Sequence, residues 1–84
     1  MNSKQKKVLA VIFTDPVFGT MEWAAIGNLL VSIGCKVIEG SGSRVRFAHG
    51  AEAEAFHRPH PAKEAKRYQV LAARSFLMRI GVVP

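Results

Sequence analysis

Histidine is the one side chain whose unperturbed titration lies near neutral pH. This chain has three, and all of them fall between Gly40 and Pro61, in GSGSRVRFAHGAEAEAFHRPHP: His49, His57 and His60. The same stretch carries Arg44, Arg46, Arg58 and the turn-like Gly40-Ser41-Gly42-Ser43. A guanidinium fork matches the oxygens of a phosphate, and a neighbouring imidazole can take or return a proton. That set suits cleavage of RNA without a metal. The ribose 2′-hydroxyl would attack, a base would take its proton, cations would stabilise the phosphorane, and an acid would serve the leaving oxygen. His57 is the first candidate base and His60 the second. Arg44 and Arg46 would meet the phosphate, with Ser43 as a further donor. The plainer alternatives are a partly exposed strand residue for His57 and a loop residue bonded to backbone for His60. His49 reads as a solvated turn residue.

Other chemistries lack their residues. The single Cys35 rules out an internal disulfide, and no Cys-x-x-Cys or His-x-x-x-His spacing offers a metal site, so neither metal nor cofactor is expected. Ser43 has no Gly-x-Ser-x-Gly elbow around it. Glu52 and Glu54 read as solvated strand charges, because nothing near them in sequence would raise a carboxylate pKa. Trp23 opens an apolar stripe and reads as core.

The elements that must position these residues follow from periodicity. Arg44 to Ala48 alternates polar and apolar, as a half-buried strand does, with Val45 and Phe47 inward and Arg44 and Arg46 outward. A second such strand, Glu52 to Arg58, follows across a His49-Gly50 turn, with Phe56 as its core anchor. Cys35 to Glu39 is an earlier strand, joined through the Gly40–Ser43 turn. Pro59 and Pro61 end the sheet, because proline cannot donate to a ladder. In this phase His57, Arg44 and Arg46 share a side. Before the sheet, Ser3 is placed to cap a helix running to about Phe13, which Asp15-Pro16 stops. Val17-Phe18-Gly19 is a linker. Thr20 is placed to cap a second helix with the stripe Trp23, Ile26, Leu30, Ile33, ending at Gly34. After a basic loop from Ala62 to Lys66, a last helix spans about Arg67 to Ile80. Its stripe is Val70, Ala73, Leu77 and Ile80, with Phe76 beside it and Gly81 at its end. The predicted fold is α+β in the order α-α-β-β-β-α: three antiparallel strands covered on one face by helices. Residues 1–19 would be an N-terminal helix and linker, and 20–84 the main body of one small globular domain.

The net charge is +6. From Arg58 to the end, Arg58, Lys63, Lys66, Arg67, Arg74 and Arg79 stand against Glu64 alone. Such a balance favours a polyanion or an acidic protein as partner. Lys63, Lys66 and Arg67 therefore join Ser43, Arg44, Arg46 and Arg58 as candidate RNA-binding residues. No apolar run is long enough to span a bilayer, and the charged-then-apolar start lacks a cleavage site. A reduced, cytoplasmic setting with no membrane partner is expected. No helix carries the polar, base-reading surface of a DNA-recognition helix.

The element order resembles the HicA family. So do Gly40-Ser41, Arg44-Val45-Arg46-Phe47, Phe56-His57-Arg58-Pro59-His60-Pro61 and Phe76-Leu77-Met78-Arg79-Ile80-Gly81. The resemblance runs from Trp23 to Val82, and the Gly-Ser turn together with the His-Pro strand end is its most specific part. It implies a fold similar to a double-stranded-RNA-binding domain, messenger-RNA endoribonuclease activity without a metal, and silencing by a HicB-like antitoxin. In that family a histidine after the Gly-Ser turn is catalytic. Here Gly42, Ser43 and Arg44 occupy that stretch, so the resemblance assigns that role to no residue of this chain. Two classes follow: a ribonuclease whose base is His57 or His60, and a non-catalytic module that holds RNA or the antitoxin on the same fold.

Overall fold

In a computed structural model, residues 1–17 and 19–84 are described. The order is α1 (Ser3–Ile12), α2 (Trp23–Ser32), β1 (Lys36–Glu39), β2 (Arg44–His49), β3 (Glu52–His57) and α3 (Arg67–Arg79). The strands form one antiparallel sheet in the order β1-β2-β3. This is the α+β order that the periodicities predict.

Element ends differ from the sequence reading for local reasons. Asn2, not Ser3, caps α1: its side chain accepts from the Gln5 N–H, and Gln5 Oε1 accepts from the Asn2 N–H. That reciprocal pair satisfies two donors which serine at the first helical position could not reach. Thr20 does not cap α2. The helix starts at Trp23 behind Glu22, whose side chain makes no capping bond, because the chain here is tied across to the loop before α3. Trp23 N–H donates to the Lys63 carbonyl and Ala65 N–H to the Met21 carbonyl. Cys35 lies just outside β1, and His49 is the last residue of β2 rather than part of the turn, which is Gly50-Ala51 with Gly50 at φ +60°. β3 ends at His57 and α3 at Arg79. Of the expected linker, Phe18 lies outside the described residues.

The core forms where the helices meet one face of the sheet. Val45, Phe47 and Phe56 are buried from the sheet, and Trp23, Ile26, Leu29 and Leu30 from α2. α3 adds Val70, Ala73, Phe76 and Leu77, and α1 adds Leu9 and Ile12. Phe76 is fully buried at the centre of this cluster rather than beside the stripe, whereas Ile33 and Ile80 lie at its margin. Trp23 packs on Phe56 at 5.0 Å between ring centres and on Phe47 at 6.3 Å, both tilted. Tilted rings bring positive edges toward negative faces, which adds to simple burial. Burial also pushes the Cys35 thiol above its ordinary pKa. Arg74 fastens α1 down. Its guanidinium donates to the carbonyls of Ile12 and Thr14 and to Asp15 Oδ1, filling acceptors that the end of a helix leaves free.

Candidate functional site: the open face of the sheet

The buried residues Val45, Phe47 and Phe56 fix which face of each strand looks at the helices, and alternation fixes the rest. Residues directly opposite in an antiparallel pair share a face. Arg44 is opposite His57, Arg46 is opposite both Ala55 and Ile38, and Ala48 is opposite both Ala53 and Lys36. The face turned away from the helices therefore presents Lys36, Ile38, Arg44, Arg46, Ala48, Ala53, Ala55 and His57. Its cations come with no carboxylate. The sheet's three acids, Glu39, Glu52 and Glu54, all point to the other side, opposite Val45, His49 and Phe47. The alternating pattern has sorted the strand charges: cations and His57 on the open face, acids and His49 on the helix side.

The end of that face nearest the β1–β2 turn is the most constrained. Gly42 takes φ +62° in the turn, a conformation costly for any residue with a Cβ. A Cβ on Gly40 would come within 3.1 Å of Arg44 Cβ, so any other residue where the two strands leave the turn would press on Arg44. Gly40 N–H donates to the Arg44 carbonyl at 2.9 Å, and Arg58 N–H to the Ser43 carbonyl at 2.8 Å. The second bond makes Ser43 and Arg58 a hydrogen-bonded pair, so Arg44 and His57 are a non-hydrogen-bonded pair. In such pairs the side chains stand closest, with Cα atoms about 4.5 Å apart. Ser43 Oγ lies 3.5 Å from His57 Nδ1. A shallow depression of about 270 Å³ is lined by Ile38, Glu39, Gly40, Ser41, Arg44, Val45, Arg46 and Ala55. Arg44 and Arg46 line it, and the exposed His57 stands directly opposite Arg44 with the Ser43 hydroxyl near its ring.

A family model described as HicA toxin of bacterial toxin-antitoxin matches residues 23–81 of this chain. The chain belongs to the HicA toxin family. It is therefore a toxin of a toxin–antitoxin pair, with an antitoxin as partner. No curated protein and no solved structure gives a significant match. In this HicA protein α1 precedes the matched segment, yet it supplies Leu9 and Ile12 to the shared core.

The other sequence-predicted site residues are spread more widely. Arg58 is not on the open face. It makes a two-pronged pair with Glu39 at 2.9 and 2.8 Å on the helix side of the sheet. The hydrogen-bonded guanidinium holds the Glu39 carboxyl below its ordinary pKa, against a smaller opposing effect of desolvation. Because the folded value lies below the unfolded one, the pair favours the fold at neutral pH, and that contribution fades as pH falls through the folded value. An NMR titration should show a lower Glu39 midpoint in wild type than in Arg58→Ala. Equal midpoints would mean that the pair does not persist in solution. Arg79 is occupied in the same way, bonding Glu52 and Glu54 from α3. These pairs explain why Glu52 and Glu54, read from sequence as solvated, sit half-buried on the helix side.

Lys63, Lys66 and Arg67 are exposed on the loop before α3 and at the first residue of that helix. They carry no ion pair among the described residues. His60 is exposed in the same loop, beyond the end of β3. Gln69 was not foreseen. It lies in the first turn of α3, is buried, and donates from Nε2 to the His57 carbonyl at 2.6 Å. Gln69 stands four residues before Ala73 and seven before Phe76, so helical spacing puts it on the buried face of α3, and a polar residue at such a position is the signal that could have found it. Lys36 was also missed, because only the register of β1 brings it to the open face. Among the described residues no three of His, Cys, Asp and Glu converge as metal ligands.

Proposed function

We propose that this toxin is a metal-independent messenger-RNA endoribonuclease, that RNA lies on the open face of the sheet, and that a HicB-like antitoxin silences it. The observation that carries the reading is the company His57 keeps: Arg44 directly across the ladder, Arg46 two residues on, and no carboxylate on that face. In the proposed reaction, Nε2 of neutral His57 takes the proton of a ribose 2′-hydroxyl. That oxygen attacks the adjacent phosphorus, Arg44 and Arg46 stabilise the phosphorane, and the bond to the 5′-oxygen breaks as that oxygen takes a proton from water, giving a 2′,3′-cyclic phosphate and a 5′-hydroxyl. Nε2 accepts a proton only if Nδ1 carries the ring's other hydrogen, and Ser43 Oγ is the nearby acceptor for that N–H. The contact is long, as such contacts often are before substrate binds. His60 is the second candidate base.

Expression without a partner should arrest growth, and co-expression of the neighbouring gene's product should restore it. Purified protein should cleave RNA in the presence of EDTA. Arrest without any cleavage would instead favour a non-catalytic module that acts by holding RNA. That second reading draws on the absence of a histidine after the Gly-Ser turn, where Gly42, Ser43 and Arg44 stand.

Binding should be largely electrostatic on either reading. Each phosphate contact releases counterions, so Arg44→Ala should flatten the log–log dependence of single-stranded RNA affinity on salt by about 0.7. Arg58→Ala should flatten it far less, since its guanidinium is already engaged by Glu39. Equal losses in the two variants, measured by fluorescence anisotropy across a salt series, would place RNA elsewhere than on the open face.

A further inference from the structure

Gln69 is the one buried polar side chain among the described residues, at 3% exposure. Burying an amide costs free energy unless both its ends are bonded, and here both are. Oε1 accepts from the Lys66 N–H at 3.0 Å, which caps the start of α3. The cap needs only the oxygen. The amide nitrogen goes instead to the carbonyl of His57, at 2.6 Å.

The ladder explains why that carbonyl is available. His57 and Arg44 are a non-hydrogen-bonded pair, so the His57 carbonyl points away from β2, off the free edge of β3. The next N–H in the same peptide unit, that of Arg58, points back and donates to the Ser43 carbonyl at 2.8 Å. The single peptide plane after His57 is therefore bonded at both ends, to the turn on one side and to α3 on the other. No further strand residue follows to hold it, because Pro59 cannot donate. Fixing that plane fixes ψ of His57, and with it the direction in which the ring leaves the backbone.

We propose that Gln69 is a positioning residue for the His57 base, holding the His57–Arg58 peptide so that the imidazole stands beside Arg44 on the open face. The proposal rests on the reading of His57 as a ribonuclease base. It assigns Gln69 no contact with RNA. Its effect passes entirely through the backbone of His57.

The test is steady-state cleavage of a short single-stranded RNA by Gln69→Glu at pH 7.5. Ionised, a carboxylate of the same shape still accepts from the Lys66 N–H but has no hydrogen for the His57 carbonyl, so the helix cap is kept and the hold on His57 is lost; if burial keeps it protonated its O–H replaces the lost donor, and Gln69→Met then decides. Small misplacements of a reacting group are costly, so kcat should fall about 10- to 100-fold. KM should stay within about twofold, since ground-state binding is untouched. Gln69→Met, which removes both bonds without adding charge, should show the same split and serves if Gln69→Glu does not fold. Val70→Ala is the control: it thins the core in the same helical turn and lowers Tm, and it should leave kcat unchanged. Wild-type kcat in both Gln69 variants, with His57→Ala inactive, would overturn the proposal and leave the ribonuclease reading standing. An equal kcat loss in Val70→Ala would also overturn it, by showing an effect of stability. A wild type that does not cleave would remove the ribonuclease reading and this proposal with it, whereas a fully active His57→Ala would leave a ribonuclease but remove His57 as its base, which also overturns the proposal.

Discussion

Replacing His57 with alanine should abolish RNA cleavage and growth arrest while leaving a folded protein that its antitoxin still binds. The ring is exposed and fills no part of the core, so its loss leaves no cavity. What disappears is the only histidine that the ladder places on the cationic face. The neighbours cannot take its role. Serine is too weak an acid and arginine does not deprotonate in proteins. Removal of a general base typically costs about 10²–10⁴ in rate, which is ample to relieve toxicity. Circular dichroism and antitoxin pull-down would check the fold, and a gel assay on a defined transcript would read the activity. His60→Ala should have the smaller effect, because His60 lies in the loop past the strand end. A folded His57→Ala, His60→Ala double variant that cleaves at the wild-type rate would end the histidine mechanism.

Phe56→Ala should produce the largest loss of stability. Phe56 precedes His57 on β3 and points the opposite way, into the core, at 4% exposure. Its ring packs on Trp23 at 5.0 Å and on Phe47 at 6.1 Å, so truncation empties the contact between α2 and two strands at once. Substitutions of buried phenylalanine by alanine cost about 3–5 kcal/mol. A small domain has only about 5–15 kcal/mol to lose. Leu30→Ala, at a fully buried position on α2, should cost about 2–5 kcal/mol by the same mechanism. Urea denaturation followed by tryptophan fluorescence reads both. Unchanged midpoints would show that the core is not where these contacts place it. The two predictions separate cleanly: neighbouring residues on one strand, one facing the helices and one facing out, should fail in different assays.

The order of elements was legible in the chain because each carries its own period. Alternation from Arg44 to Phe47 and from Glu52 to Phe56 marks two strands, and the stripes through Trp23, Ile26 and Leu30 and through Val70, Ala73 and Leu77 mark two helices. That His57, Arg44 and Arg46 share a side also follows from alternation once the turn length is known, since side chains on a strand repeat every second residue. Periodicity does not reveal which groups from distant elements meet. From sequence Arg58 was one more cation for RNA. In the fold it is spent on Glu39, nineteen positions away. Arg74 and Arg79 are likewise tied to Asp15 and to Glu52 and Glu54. Net charge counts these arginines as free, whereas tertiary pairing removes them and leaves the cations of the open face and the loop before α3. Gln69 is the clearest case. Spacing with Ala73 and Phe76 puts it on the apolar face of α3, but by residue type a glutamine reads as solvent-facing, and the sequence names no partner for its amide. Only the packing of α3 against the end of β3 encloses it and supplies the His57 carbonyl in water's place. Local pattern determined the strands, the helices and the facing of the histidine. Long-range contact decided which charges remain available and what holds the histidine still, because those depend on partners that no local period encodes.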